Sequence, residues 1–242
     1  MTELLSPEAW DAVLLSLKVA TWATLASILP AIAVAAALAH GRFPGRVLLD
    51  GIVHLPLVMP PVVTGYILLV LFGRQGAIGS LLESQLGIVF AFRWTGAALA
   101  GAIMGFPLMV RAIRLSMEAI DPRLGEAAAT LGSGRALRFL VITLPLMTPG
   151  ILAGAILCFA KALGEFGATI TFVSNIPGET RTIPSAIYAF LQVPGGGSEA
   201  AILAGAAVTI ALAALFLSDI VSRRVARSLG SEDTAGREAP PR

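Results

Sequence analysis

The sequence predicts an all-α polytopic membrane protein with five transmembrane helices, the N-terminus outside and the C-terminus in the cytoplasm. Three observations carry this. The chain is 56% hydrophobic and only 13% charged, with a mean hydropathy of +0.84, whereas a soluble domain sits near a quarter charged. Its apolar residues gather in blocks of roughly twenty or more, long enough as helices to cross about 30 Å of hydrocarbon. Its arginines, finally, crowd into alternate gaps between the blocks.

The spans are expected near 13–39, 47–72, 95–117, 140–172 and 200–221. The first follows an acidic stretch and is too long for the apolar core of a cleavable signal peptide, so none is expected. Pro30 in it and Pro107 in the third read as ordinary kinks. The second carries "HLPLVMPPVVTGY", with Pro56, Pro60, Pro61 and Gly65. Adjacent prolines remove backbone donors and clash with the preceding turn, so this helix should bend or break. A pore-lining segment and a kinked packing helix fit that pattern equally. The fourth block is longer than one crossing needs, so part of it should bend or leave the membrane. After the fifth, residues 228–242 read as a disordered cytoplasmic tail and residues 1–227 as the membrane domain.

Orientation follows from the basic residues. Segments 40–46, 111–138 and 222–242 hold Arg42, Arg46, Arg111, Arg114, Arg123, Arg135, Arg138, Arg223, Arg224, Arg227, Arg237 and Arg242. The alternate segments hold only Arg74, Arg93 and Arg181, and Lys18 and Lys161 lie inside spans. The arginine-rich gaps are therefore expected on the cytoplasmic side.

Several function classes find no support. A net charge of +2 and a pI near 9.1 are too mild for a nucleic-acid partner. The single cysteine, Cys158, reads as a small packed side chain, and no Cys/His cluster suggests a metal. There is no GxxxxGK[ST], so the chain is not expected to hydrolyse ATP, and no HExxH, GxSxG or serine–histidine–acid set appears. "GRQGAIGS" reads as an outer turn, "QVPGGGSE" as a flexible link, and His40 and His54 as interfacial or packing residues. No internal repeat is evident, which weakens an inverted-repeat transporter.

The arginine-rich gap before the fourth span contains "AIDPRLGEAAATLGSGRALRFL". Asp121 is a good N-cap and Pro122 suits the first helical position. The helix should run through Leu131 and end at Gly132 in the left-handed conformation. Ser133 is expected to cap a second helix that feeds the fourth span. Leu124, Ala128 and Leu131 share one face, with Ala127 and Ala129 beside them, a small-sided surface that a partner could approach closely. Glu126 suits the positive helix end and could meet a basic partner. From residues alone, a helix lying on the membrane interface is an equal alternative.

"EAAATLGSGRALRFLVITLP" resembles the EAA loop of ABC-importer permeases, through Glu126, Ala127, Ala128, Gly132, Ile142, Leu144 and Pro145. The resemblance implies a coupling helix that docks on a separate cytoplasmic ATPase. "HLPLVMPPVVTGYILLVLFG", "GFPLMVRAIRLSMEAID" and "LGEFGATITFVSNIPGETRTIPSAIY" are similar to the molybdate branch of that family, a likeness extending from about Trp10 to about Arg227. Sulfate and thiosulfate permeases share "GEFG" and "NIP" in looser form.

The resemblance implies a permease subunit that passes molybdate from a periplasmic binding protein into the cytoplasm across the bacterial inner membrane. Its expected partners are two copies of the ATPase, a second copy of itself and membrane lipid. ATP and Mg would be used by the ATPase, with no cofactor on this chain. A path for a tetrahedral dianion is better lined by hydroxyls, amides and backbone N–H groups than by fixed cations, which would trap the ion. Thr64, Gly65, Thr169, Thr171, Ser174 and Asn175 are the candidates, with Arg181 as an outer attractor. Lys161 and Glu165, four residues apart in the fourth span, are expected either as a structural pair near Gly164 and Gly167 or as a gate element. Two alternatives stand: sulfate, thiosulfate or tungstate as cargo, or an ATPase-independent secondary transporter or channel. The last would need a titratable relay, and only Lys161 and Glu165 lie deep in a span.

Overall fold

A computed structural model describes residues 6–41 and 43–235, with the side chains of the last helix described to Phe216 and at Ile220. Arg42, Arg237 and Arg242 lie outside the described residues, as does the part of the expected tail from 236 on. Every regular element among the described residues is helical.

Helix α1, Pro7–His40, opens with Ser6 accepting from the Ala9 N–H and with Pro7 where a missing N–H costs nothing. Its buried residues, among them Ala12, Ser16, Ala20, Ala23, Ser27, Ala31 and Ala35, recur at helical spacing and are small. Thr24 and Ser27 satisfy their hydroxyls on their own helix, donating to Ala20 O and Ala23 O at 2.8 and 2.7 Å. A small-sided stripe lets neighbouring backbones come close, which is how helices associate where lipid removes the hydrophobic drive.

The same logic builds the centre. Helix α5, Trp94–Glu118, packs antiparallel on α8, Leu144–Leu163, along a seam of small residues. A Cβ on Gly101 would stand 2.9 Å from Ala162 Cβ, one on Gly105 would stand 2.6 Å from Cys158 Sγ, and one on Gly154 would stand 3.0 Å from Met109 O. Gly150 closes the seam against Ser116. Cys158 is buried in this seam as one of its small members.

The expected second span is two helices, α2 Arg46–Val58 and α3 Pro61–Phe72, which meet at 115°. The cause is local. Met59 precedes one proline and Pro60 another, so both are held extended, at ψ 146° and 132°. Pro61 then starts the new helix at its first position. Among the described residues, four helices are thus long and apolar enough to cross a membrane, and a fifth span results if this bent pair counts as one.

The expected fourth span also breaks. Helix α7, Arg135–Arg138, runs through a π-turn at Phe139–Thr143 into α8, which stops at Leu163, and α9, Gly167–Val173, follows as a separate short helix. Leu144 and Pro145, expected as the end of a loop, sit instead inside this continuous helix. Pro145 removes one donor and crowds the carbonyl four residues back. Widening the preceding turn relieves both, and the Leu144 N–H reaches Phe139 O.

Two helices lie where the sequence suggested turns or nothing. Helix α4, Ala77–Leu86, occupies part of "GRQGAIGS" and its continuation, and α10, Ile183–Leu191, begins with Pro184 in its first turn. Helix α11, Gly197–Ala235, continues through residues 228–235, beyond the expected start of the tail. The "QVPGGGSE" link is a tight turn, with Gly195 at φ +84° and the Gly196 N–H on Val193 O.

Helix α3 crosses α9 at close quarters. A Cβ on Gly65 would stand 2.5 Å from Ala168 O and 2.9 Å from Thr171 Cβ, and one on Gly167 would stand 2.7 Å from Pro61 Cβ. Gly65→Ala must push two backbones apart, and overpacking of this kind costs about 1–3 kcal/mol. For a domain of this size that lowers the unfolding midpoint in detergent by roughly 2–10 °C. An unchanged midpoint would mean that the two helices do not cross at Gly65.

Candidate functional site

Helix α6, Pro122–Thr130, stands between two membrane-length helices and has no buried residue. Asp121 caps it, accepting from the Arg123 N–H at 2.9 Å. At the other end Gly132 takes φ +81°, its N–H bonds Ala129 O at 3.0 Å, and the Ser133 N–H bonds Ala128 O at 3.1 Å. That pair of bonds is a Schellman motif, and it satisfies the Ala128 and Ala129 carbonyls near the helix end. Ser133 does not cap the second helix. The second helix begins one residue later, with Gly134 as the N-cap of α7 and no side-chain bond.

Glu126, Ala127, Leu124 and Leu131 are all exposed and Ala128 is half-buried. Leu131, at the corner, is 88% exposed. Leu131 is thus a large aliphatic side chain left out on the turn that ends a helix with no buried residue. Behind α6 lies a cleft of about 290 Å³, lined by His40, Met117, Asp121, Gly125, Glu126 and Arg138 among others.

The remaining candidates fall into two groups. Thr64, Gly65, Thr169 and Thr171 sit at the α3–α9 crossing. Thr169 donates to Glu165 O and Phe166 O, and Thr171 to Gly167 O, so both hydroxyls are spent on their own segment. Thr64 differs: it is 4% exposed and its Oγ1 has no partner. Ser174, Asn175 and Arg181 belong to the loop after α9. Ser174 takes φ +66°, Thr180 Oγ1 accepts from the Ile176 N–H, and Asn175 Oδ1 accepts from Arg181 Nε at 3.1 Å. Arg181 is not the unengaged cation expected of an outer attractor. Its Nη1 reaches Glu8 Oε2 at 3.0 Å and pins the loop to the start of α1.

Lys161 and Glu165 pair at 2.8 Å, and the Glu165 side chain is almost wholly buried. Glu165 does a second job. Its Oε1 accepts from the Ala168 N–H at 2.9 Å, so one carboxylate ties the end of α8 to the first turn of α9. The break at Gly164–Phe166 is thereby held at a set angle.

One cluster escaped the sequence reading. Arg114 donates to Glu118 at 2.8 Å and to Asp50 at 3.4 Å, while His54 Nδ1 lies 2.9 Å from Asp50 O. The Arg114–Asp50 bond fastens α2 to α5, while the His54–Asp50 contact lies within α2. The pairing joins residues 64 apart in sequence, so spacing gives no sign of it.

Residues 27–229 match the family described as "Binding-protein-dependent transport system inner membrane component". The chain is 56% identical over 220 residues to the molybdenum transport system permease protein ModB of Escherichia coli (strain K12), covering 91% of this chain and 96% of that protein. The protein of the same name from Haemophilus influenzae (strain ATCC 51907 / DSM 11121 / KW20 / Rd) is 52% identical over 225 residues, covering 93% and 98%. The fold matches a chain in the crystal structure of a bacterial alginate ABC transporter in complex with an alginate pentasaccharide-bound periplasmic protein. That match has a TM-score of 0.72 at 18% identity and covers 91% of this chain and 80% of that one.

Proposed function

Since the chain belongs to the family of binding-protein-dependent transport system inner membrane components, we propose that it is the permease subunit of an ATP-driven importer whose cargo is molybdate. It is a multi-pass membrane protein and not itself an enzyme. The observation that carries the reading is α6, exposed and capped at both ends between two spans, in a chain 56% identical to a molybdenum permease over 91% of its length.

With the arginine-rich loops cytoplasmic, α6 faces the ATPase. Leu131, Glu126 and the alanine face of α6 enter a groove on that partner, and ATP and Mg belong to the partner's chemistry. A periplasmic binding protein delivers the anion to the opposite face in the bacterial inner membrane. One coupling helix per chain and two ATPases per transporter imply a second copy of this chain. ATP binding draws the two α6 helices together, and the motion opens the path outward; hydrolysis and release reverse it.

The path is assigned to the α3–α9 crossing and the loop beyond it. Thr64 offers a buried hydroxyl with no competing partner, and the broken backbone at Met59–Pro61 and Gly164–Phe166 leaves peptide groups at membrane depth. Such irregular backbone persists where protein or a watery cavity satisfies it. Glu165, neutralised by Lys161, fixes the break without presenting a free negative charge to an oxyanion.

The test is radiolabelled molybdate uptake in cells lacking their own permease, complemented by this chain, the ATPase and the binding protein. Uptake is expected to survive a large excess of unlabelled sulfate and to vanish when the ATPase is omitted. Uptake abolished by sulfate moves the cargo to the sulfate group. Uptake without the ATPase overturns the ABC assignment.

A further inference from the structure

Helix α6 buries no residue, so packing cannot make it move with the membrane helices. Among the described residues, one side-chain hydrogen bond joins it to another helix: Arg138 Nη1 donates to Gly125 O at 3.1 Å, across thirteen positions. Arg138 is the last residue of α7, and the π-turn begins at the next residue, Phe139. Its Nε is buried with no partner, so the guanidinium is held in place by the bond to Gly125 and by its surroundings, at some desolvation cost. A group kept where one of its donors goes unsatisfied is serving geometry more than stability. The cleft beside it, lined by Glu126 and Asp121, leaves the guanidinium room on the α6 side.

We infer that Arg138 is a positioning residue: a strut that carries displacement of α6 into α8 through the π-turn. The inference rests on the reading of α6 as the coupling helix. Without the strut, α6 is joined to the Arg135–Leu163 helix only by the corner at Gly132–Gly134, which can hinge. The π-turn is where the longer helix can take up a shift of register, since a widened turn narrows without breaking the span.

The experiment is the ratio of ATP hydrolysed to molybdate imported, in vesicles holding the full complex with binding protein and compared at equal amounts of assembled complex. Arg138→Ala is expected to raise that ratio roughly tenfold, the scale of one charge-assisted hydrogen bond. Arg138→Lys, which can still donate to Gly125 O, is expected to recover most of the coupling. A ratio unchanged in Arg138→Ala overturns the strut, and so does a lysine variant no better than alanine, which would assign the effect to lost packing. If the alanine variant fails to assemble, Arg138→Met, which keeps the apolar stem but has no donor, takes its place under the same criteria. Gly132→Pro is run in parallel. If it decouples while Arg138→Ala does not, the strut alone falls; if neither decouples, the reading of α6 falls with it.

Discussion

Gly132→Pro is expected to reduce molybdate uptake to background while leaving the chain in the membrane at its usual level. The residue holds φ +81°, and proline is locked near −65°. The substitution also deletes the N–H that bonds Ala129 O and disfavours the near-helical conformation of Leu131 before it. Each effect alone opens the Schellman corner, and together they cost about 3 kcal/mol or more. That cost falls on an element with no buried residue, so the packed spans feel little of it. Gly132→Ala serves as the graded control, since alanine enters the left-handed region at about 1–2 kcal/mol. Glu126→Lys should weaken uptake by a separate route, by reversing a charge on α6 without touching the backbone. The checks are uptake, membrane abundance by immunoblot and recovery of the ATPase with the permease. Either Gly132→Pro or Glu126→Lys importing normally beside its ATPase would remove α6 from the coupling role.

That corner was legible because capping is local chemistry. Asp121, Pro122 and Gly132 act within a few residues of themselves, and the structure places each as the sequence suggests. Ser133 was misjudged within the same stretch. As a residue type it suits an N-cap, but it stands as the last residue of the preceding helix's Schellman turn, and the second helix starts from Gly134. The Pro60–Pro61 break is equally plain, because two consecutive residues are disfavoured from helical conformation; the 115° angle between the two helices does not follow from that alone. Helix α4 was lost for the opposite reason. "GRQGAIGS" has the composition of a turn, and the segment coils because Gly76 and Gly79 let it lie against the backbone at the end of α3.

Charges separated in sequence were the least legible. Arg181 meets Glu8 and Arg114 meets Asp50 only once distant helices are side by side. Arg181 therefore reads as an outer attractor, and its bond to Glu8 shows only in the structure. The threonines were ambiguous in kind: a membrane hydroxyl bonds its own helix unless something better is offered. Thr169 and Thr171 follow that habit, whereas Thr64 has a buried hydroxyl with no partner, which sequence spacing does not show.

Glu165→Met is expected to lower the unfolding midpoint in detergent by roughly 6–12 °C and to abolish uptake. Removing one partner of a buried pair costs about 3–5 kcal/mol, and in a domain of this size each kcal/mol moves the midpoint by about 2–4 °C. The low end applies because Lys161 retains 30% side-chain exposure and can snorkel toward water. The loss is double, since the same carboxylate pairs with Lys161 and accepts from the Ala168 N–H. Adding Lys161→Met removes the orphaned charge and is expected to regain most of the midpoint, leaving only the open N–H of α9 uncompensated. Uptake by that double variant then separates two roles. If the pair merely holds the α8–α9 break, apolar side chains of similar length hold it too, and transport returns with stability. If the pair must part and reform as the path alternates, stability returns without transport. A single Glu165→Met variant that melts and imports like the parent would show that the break needs neither bond.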